Sequence, residues 1–289
     1  MEVGQLTLTT FINVLVISSM YIVVALGFAF LFNILGVLNL AHGAVYMAGA
    51  YMCYALAVRL GINPWIGMVL AVIVMGLLGL FLEKFAFRPV ASDQNRVIVV
   101  CVGISVILQT SVNVVVGKTV DKLPAFVSGI ITVGPVSFGA GRLATFLIGG
   151  ALLAFMIWFI NNTQRGQQMQ AVSQNMVAAA LHGINVHRIS GIATVIAFAL
   201  AVIAGCLMGA LLNLNAFMGD AILLKAIIIL ILGGIGSIGG IFFGGIIIGG
   251  LDAVLPVFLE GAMSDAIALA IIIAILIVRP QGLFGHEVQ

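Results

Sequence analysis

Asn39 and His42 are hydrogen-bonding side chains set in an otherwise apolar stretch, LGVLNLAHGAVYMAGAY (35–51), which also holds Tyr46 and three glycines. Ser105, Gln109 and Asn113 recur every four positions in a second apolar run, so a helix there would carry them as one polar stripe. Such groups can hydrogen-bond a passing solute or one another; neither set puts a nucleophile beside a base. The nine acidic residues are scattered, and His42, His182, His187 and His286 stand near no nucleophile in sequence, so no enzyme is expected. GKT (117–119) imitates the end of a phosphate-binding loop but has Val112 where that motif requires glycine. TVGPV (132–136) begins like a potassium filter and lacks its tyrosine and final glycine.

The elements that position these residues must be membrane helices. The chain has 289 residues, 63% hydrophobic and 7% charged, against about 25% charged in a soluble domain. Its apolar runs reach the ~20 residues that cross a bilayer as a helix and lack the alternation of a β-barrel. The expected fold is all-α, a polytopic transmembrane bundle forming one domain over 1–289. Eleven Lys+Arg, thinly spread, leave no basic cluster for nucleic acid. The first ten residues contain no Lys or Arg, unlike a signal peptide, so the first helix is expected to stay attached. Cys53, Cys101 and Cys206 sit singly in apolar runs and read as packing residues, with no metal site implied.

Hydropathy places eight segments at 10–35, 40–58, 64–82, 97–116, 143–160, 190–213, 222–250 and 265–279. The positive-inside rule sets Lys84, Arg88, Arg96, Arg165, Arg188 and Arg279 in the cytoplasm, against Arg59, Lys118, Lys122 and Arg142 outside. If loop 161–190 and the C-terminal tail are both inside, the chain after 190 crosses an even number of times. Segment 222–250 must then enter and leave on one side; as a single helix it would be about 43 Å long, against a hydrocarbon core of about 30 Å. A discontinuous or re-entrant segment is expected. Nine glycines between 233 and 250 support it, with a break at Gly-Gly-Ile-Gly-Ser (233–237). Gly236, Gly240 and Gly244, and separately Gly245 and Gly249, have the four-residue spacing of close helix packing.

By the same reading Asp220, Lys225, Asp252 and Asp265 all fall near span ends, whereas an ion-coupled transporter or channel, the alternative class, commonly carries charge within its spans. Loop 161–190 is too polar to span; Asn175 can cap a short helix over MVAAALH and Gly183 stands at its stop. From the residues alone that helix either rests at the membrane interface or forms a docking surface.

Five stretches, NLAHGAVYMAGAY (39–51), EKFAFRPV (83–90), AVSQNMVAAALHGINVHRI (171–189), KAIIILILGGIGSIGGIFFGG (225–245) and RPQGLFG (279–285), resemble, in order and spacing, the H-type permease subunits of branched-chain amino acid (Liv-type) ABC importers. The resemblance implies a bacterial inner-membrane transport subunit without cofactor. It would pair with a second permease, sit above two ATPases that use ATP, and receive solute from a periplasmic binding protein. The segment Gln170–Arg188 then corresponds to the ATPase-coupling segment, with Gln174, Asn175, Leu181, Gly183 and Ile184 among its contacts. Departures are Gln170 where many members have arginine, Gly239 where proline is frequent, and Ala44 where some carry an acid. The last removes a counter-charge for an ammonium group, so urea, short amides and small organic acids stay open beside hydrophobic amino acids. Together, Asn39, His42 and Tyr46, the stripe Ser105, Gln109 and Asn113, and the break Gly234, Gly236 and Ser237 are expected to line or gate the pathway. The two breaks should face each other, with Asn39 and His42 bonding the freed backbone.

Overall fold

The computed structural model describes residues 2–36, 38–91, 93–116, 122–133 and 136–284; GKT, Lys118, the Gly134–Pro135 pair of TVGPV, Gly285 and His286 lie outside them. Helix α1 (Glu2–Leu35) has 34 residues, about 51 Å of helix. It stops at Gly36, whose φ of +68° is the left-handed conformation of a helix end and whose N–H returns to Phe32 O at 2.8 Å. The chain then turns through 38–41 without helix, and Asn39 Oδ1 accepts from Ala41 N at 3.0 Å before α2 (His42–Tyr54) begins. With 13 residues, α2 spans about 20 Å and continues into a wider π turn, Ala55–Arg59. Asn63 caps α3 (Pro64–Leu82), accepting from Trp65 N at 2.9 Å with proline at the first helical position.

Helix α4 (Gln94–Val116) leads to a two-stranded hairpin, β1 (Ile130–Val133) and β2 (Val136–Gly139), antiparallel with Ile131 opposite Phe138. Thr132, Val133 and Val136 of TVGPV thus lie in these two strands. Helix α5 (Ala140–Asn162) is followed by two short helices, α6 (Gln164–Gln174) and α7 (Met176–Leu181), and by α8 (Val186–Leu211), α9 (Met218–Gly233), α10 (Ile238–Phe258) and α11 (Gly261–Val278).

Seven helices among the described residues are long and apolar enough to cross a membrane. The eight expected segments change in two ways. Segment 40–58 is a short helix entered from a non-helical turn. Segment 222–250 is a helical hairpin, α9 and α10 joined through 234–237, because Gly234 and Gly236 take φ of +95° and +88°. After 190 the seven include α8, α10 and α11; the even crossing number requires that the 16-residue α9, about 24 Å of helix, return the chain to the cytoplasmic side.

Helices α1 and α8 form the buried centre; α4 and α11 lie at the edge. Glycines set how closely the central helices approach. Gly245 and Gly249 of α10 press on Ile22 and Ser18 of α1, and Gly240 and Gly244 on Gly233 and Ile229 of α9. Gly236 leaves that stripe because it lies in the turn. One end of the bundle gathers Arg88, Arg188 and the α9–α10 turn with α6; the other joins Trp65 to Phe126 O at 3.0 Å and Leu123 N to Gly209 O at 3.2 Å. The positive-inside rule makes the first end cytoplasmic.

Candidate functional site: a membrane pathway and its cytoplasmic foot

His42 is fully buried, its Nε2–H donating to Val24 O of α1 at 3.3 Å and its ring edge-on to Phe28 at 5.8 Å. Asn39 does bond freed backbone, at Ala41 N, whereas the carbonyl that His42 meets belongs to an unbroken helix. The polar atoms Asn39 Nδ2 and His42 Nδ1 have no partner among the described residues. The two breaks do not face each other. Gly43 lies against Gly219 at the start of α9, and the turn at Gly234 is about 22 Å further along that helix. They occupy opposite ends of α9, because the hairpin runs the glycine break down to the cytoplasmic foot.

There the break is covered by protein. Leu283 N and Phe284 N donate to Leu232 O and Gly233 O at 2.7 and 3.1 Å, satisfying carbonyls that the helix end leaves free. Phe284 stacks on Phe243 at 5.2 Å, and Ser237 Oγ caps α10 by accepting from Gly240 N at 3.0 Å. The tail motif and the glycine motif, bonded across 51 residues of sequence, form one structure. Gly236 shares a cavity with Asn33 of α1 and with Gln170 and Ser173 of α6.

Toward the outer end, Tyr46 and Tyr21 line a cavity of about 230 Å3 with Asn213, Asn215 and Lys225. Of the α4 stripe, Gln109 donates to Asp220 Oδ1 of α9 at 2.6 Å; Ser105 is half-buried and Asn113 exposed on this chain. The stripe is therefore split between an inter-helix bond and an open face.

At the foot, Asn175 Oδ1 accepts from Ala178 N at 2.9 Å, capping α7, and Gly183 ends that helix with φ of +80°. Met169, Val172 and Ala179 pack on Ile34 of α1 and on Ile189 and Ala193 of α8, so the segment is fastened to the two most buried of the seven spanning helices. Its outer face is open: Leu181 is 84% exposed, and Gln170, Gln174, Asn175, Gly183 and Arg188 are exposed. Ile184 is half-buried among the fastening residues.

One constellation escaped the sequence reading. Lys225 of α9 forms an ion pair with Asp252 of α10, and Tyr21 of α1 donates to the same Oδ2 at 2.6 Å. Both charges lie well inside their helices, which corrects their placement near span ends. A lysine and an aspartate on either side of a glycine break were the available signal. Intramembrane charge therefore does not separate an ATP-driven permease from an ion-coupled transporter here.

Comparison with known proteins does. The sequence profile of the branched-chain amino acid transport system permease component matches residues 10–276. The chain belongs to this family. The permease is 32% identical to the high-affinity branched-chain amino acid transport system permease protein LivH of Escherichia coli K12, over 95% of this chain and 94% of that protein. It is 29% identical to the corresponding permease protein BraD of Pseudomonas aeruginosa, over 95% and 94%, and 25% identical to the probable permease LivH of Methanocaldococcus jannaschii, over 94% and 91%. The permease is a transport subunit of an ABC importer, a multi-pass protein of the bacterial inner membrane that works with ATPase and binding-protein partners.

Proposed function

We propose that this permease moves branched-chain and other hydrophobic amino acids inward by alternating access, paired with a second Liv-type permease above two ATPases. A periplasmic binding protein delivers the solute, and ATP is bound by the ATPases alone, so the permease itself carries no cofactor. Support for the coupling role comes from one observation: an exposed, capped segment, α6–α7, is packed onto the cytoplasmic ends of α1 and α8. A displacement of that segment by a closing ATPase dimer is passed to the central helices as a rigid-body shift. Solute enters by the cavity of Tyr46 and Tyr21, beside the bond between Gln109 and Asp220, and leaves past Gly234, Gly236 and Ser237. Asn39 and His42 hold the start of α2 in register along that route, and Ser105 and Asn113 face the paired subunit.

The test is purification in mild detergent followed by reconstitution. The expected result is a complex with a second permease and two ATPases, which takes up leucine only with ATP and loaded binding protein. A chain that runs alone and moves solute without ATP overturns this reading.

A further inference from the structure

Between α9, α10 and α11 lies a cavity of about 240 Å3 with the Lys225–Asp252 pair on its wall. Leu224, Ile228, Ile248, Ala268, Leu269 and Ile272 supply its apolar lining, and Asp265, in the second turn of α11, adds an exposed carboxylate toward the outer end. It is smaller than the ~300–1,000 Å3 of pockets for drug-sized ligands and suits a single amino acid. We propose that this cavity is a binding site for a zwitterionic α-amino acid with an aliphatic side chain, its ammonium on Asp252 and its carboxylate on Lys225. The proposal rests on the amino-acid reading of the function and assigns the site within it.

Three observations carry it. First, the pair is incompletely used. Lys225 and Tyr21 both meet Asp252 Oδ2, while Oδ1 accepts no hydrogen bond among the described residues and Lys225, which also lies over the Tyr21 ring at 5.8 Å, donates a hydrogen bond to no other group there. Free acceptor and free donor capacity thus stand side by side, and both side chains retain some exposure, 23% for Lys225 and 11% for Asp252. Second, the exchange conserves charge. A neutral zwitterion meeting a neutral ion pair replaces one charge contact by two, so no charge is left unmatched in a low-dielectric site, where an unpaired charge is costly. Third, the exposed carboxylate of Asp265, outside the neutral pair and toward the outer end, disfavours an anion. A small organic acid meets net negative charge, and urea or a short amide leaves the aliphatic wall unfilled. Ala44, which removed a counter-charge for an ammonium near His42, is thereby offset at Asp252.

The experiment uses the complete complex, with both permeases, ATPases and binding protein, in proteoliposomes. Uptake of leucine and alanine is compared between the wild type, Ala268→Leu and the double variant Lys225→Met/Asp252→Leu. Thermal stabilisation of each purified complex by free leucine is measured without binding protein. Filling the cavity with Ala268→Leu should lower leucine uptake relative to alanine by about tenfold or more, the usual scale for a methylene-sized misfit in an apolar pocket. The double variant should assemble, because an ion pair replaced by apolar residues of similar size is often neutral for stability and the Tyr21 hydroxyl, which loses Asp252 as its acceptor, lines a polar cavity with Asn213 and Asn215. It should nevertheless lose leucine uptake and leucine-dependent stabilisation. An unchanged leucine-to-alanine ratio in Ala268→Leu, or full uptake by the double variant, would show the pair to be a structural bridge and overturn the site. Failure of the wild-type complex to take up any amino acid overturns the transport reading instead. In that case leucine stabilisation abolished by the double variant still supports the site, and its absence in the wild type rejects it.

Discussion

Gly43 of α2 and Gly219 of α9 meet backbone to backbone, so close that a methyl group on either would strike the other residue's carbonyl. The contact pins the mouth of one short helix to the start of the other. Gly43→Ala and Gly219→Ala should each destabilise the permease by about 1–3 kcal/mol, since neither neighbour is a movable side chain. Gly36→Ala, with open space around its Cβ but φ of +68°, should cost about 1–2 kcal/mol through backbone conformation alone. Thermal unfolding of the purified complex should place all three variants below the wild type. Equal stability of Gly43→Ala and wild type would mean that α2 and α9 stand apart.

His42 is bonded to α1 and borders none of the larger described cavities. His42→Ala should therefore lower stability by about 2 kcal/mol or more, from a lost buried hydrogen bond and the cavity it leaves. Uptake per assembled complex should stay close to that of the wild type. A variant that assembles normally yet fails to transport would return His42 to direct contact with solute.

Much of this architecture is legible in the sequence. The asparagine at 175 and glycine at 183 bracket α7 as capping chemistry requires, and the glycine cluster at 233–237 breaks the helix because two of its members need positive φ. What hydropathy hides is pairing at a distance. A window average absorbs one lysine among isoleucines, so Lys225 looks terminal until the hairpin brings Asp252, 27 residues on, beside it. The same folding sends the two helix breaks to opposite ends of α9, a relation that no local pattern encodes. The role of the RPQGLFG stretch is equally non-local: its backbone N–H groups complete a helix end 51 residues earlier.

Buried Glu83 is held by Arg88 through two bonds, Oε1 to Nε at 3.2 Å and Oε2 to Nη2 at 2.7 Å, next to His187 and Arg188 at the start of α8. Arg88→Ala strands the carboxylate and should cost about 2–3 kcal/mol, less than a fully buried pair because the Arg88 side chain is 35% exposed. Adding Glu83→Ala should restore part of the loss. A double-mutant cycle that sums without coupling would show the pair to be incidental.

Leu181 stands almost free at the end of α7, and Gly183 follows in a conformation that a branched residue resists. Leu181→Asp should weaken retention of the ATPases during purification. Gly183→Val should leave them bound but blunt the rise in ATP hydrolysis that loaded binding protein produces, because the turn relaying their movement is distorted. Undiminished stimulation in Gly183→Val would separate this segment from coupling.

Removing residues 283–289 tests the cover over the glycine break. Leu232 O and Gly233 O would lose their donors, and Phe243 its stacked ring. A helix end left without partners in a buried position costs about 1–3 kcal/mol per group, so α9 should fray from its cytoplasmic end. Amide exchange at 228–233 should then rise well above that of the full chain, while exchange in α3, far from the tail, stays unchanged. Leu283→Pro, which deletes one donor and leaves the length intact, should give a smaller rise confined to the same residues. Uniform exchange in all three proteins would mean that the hairpin closes without the tail and that the two motifs are merely neighbours.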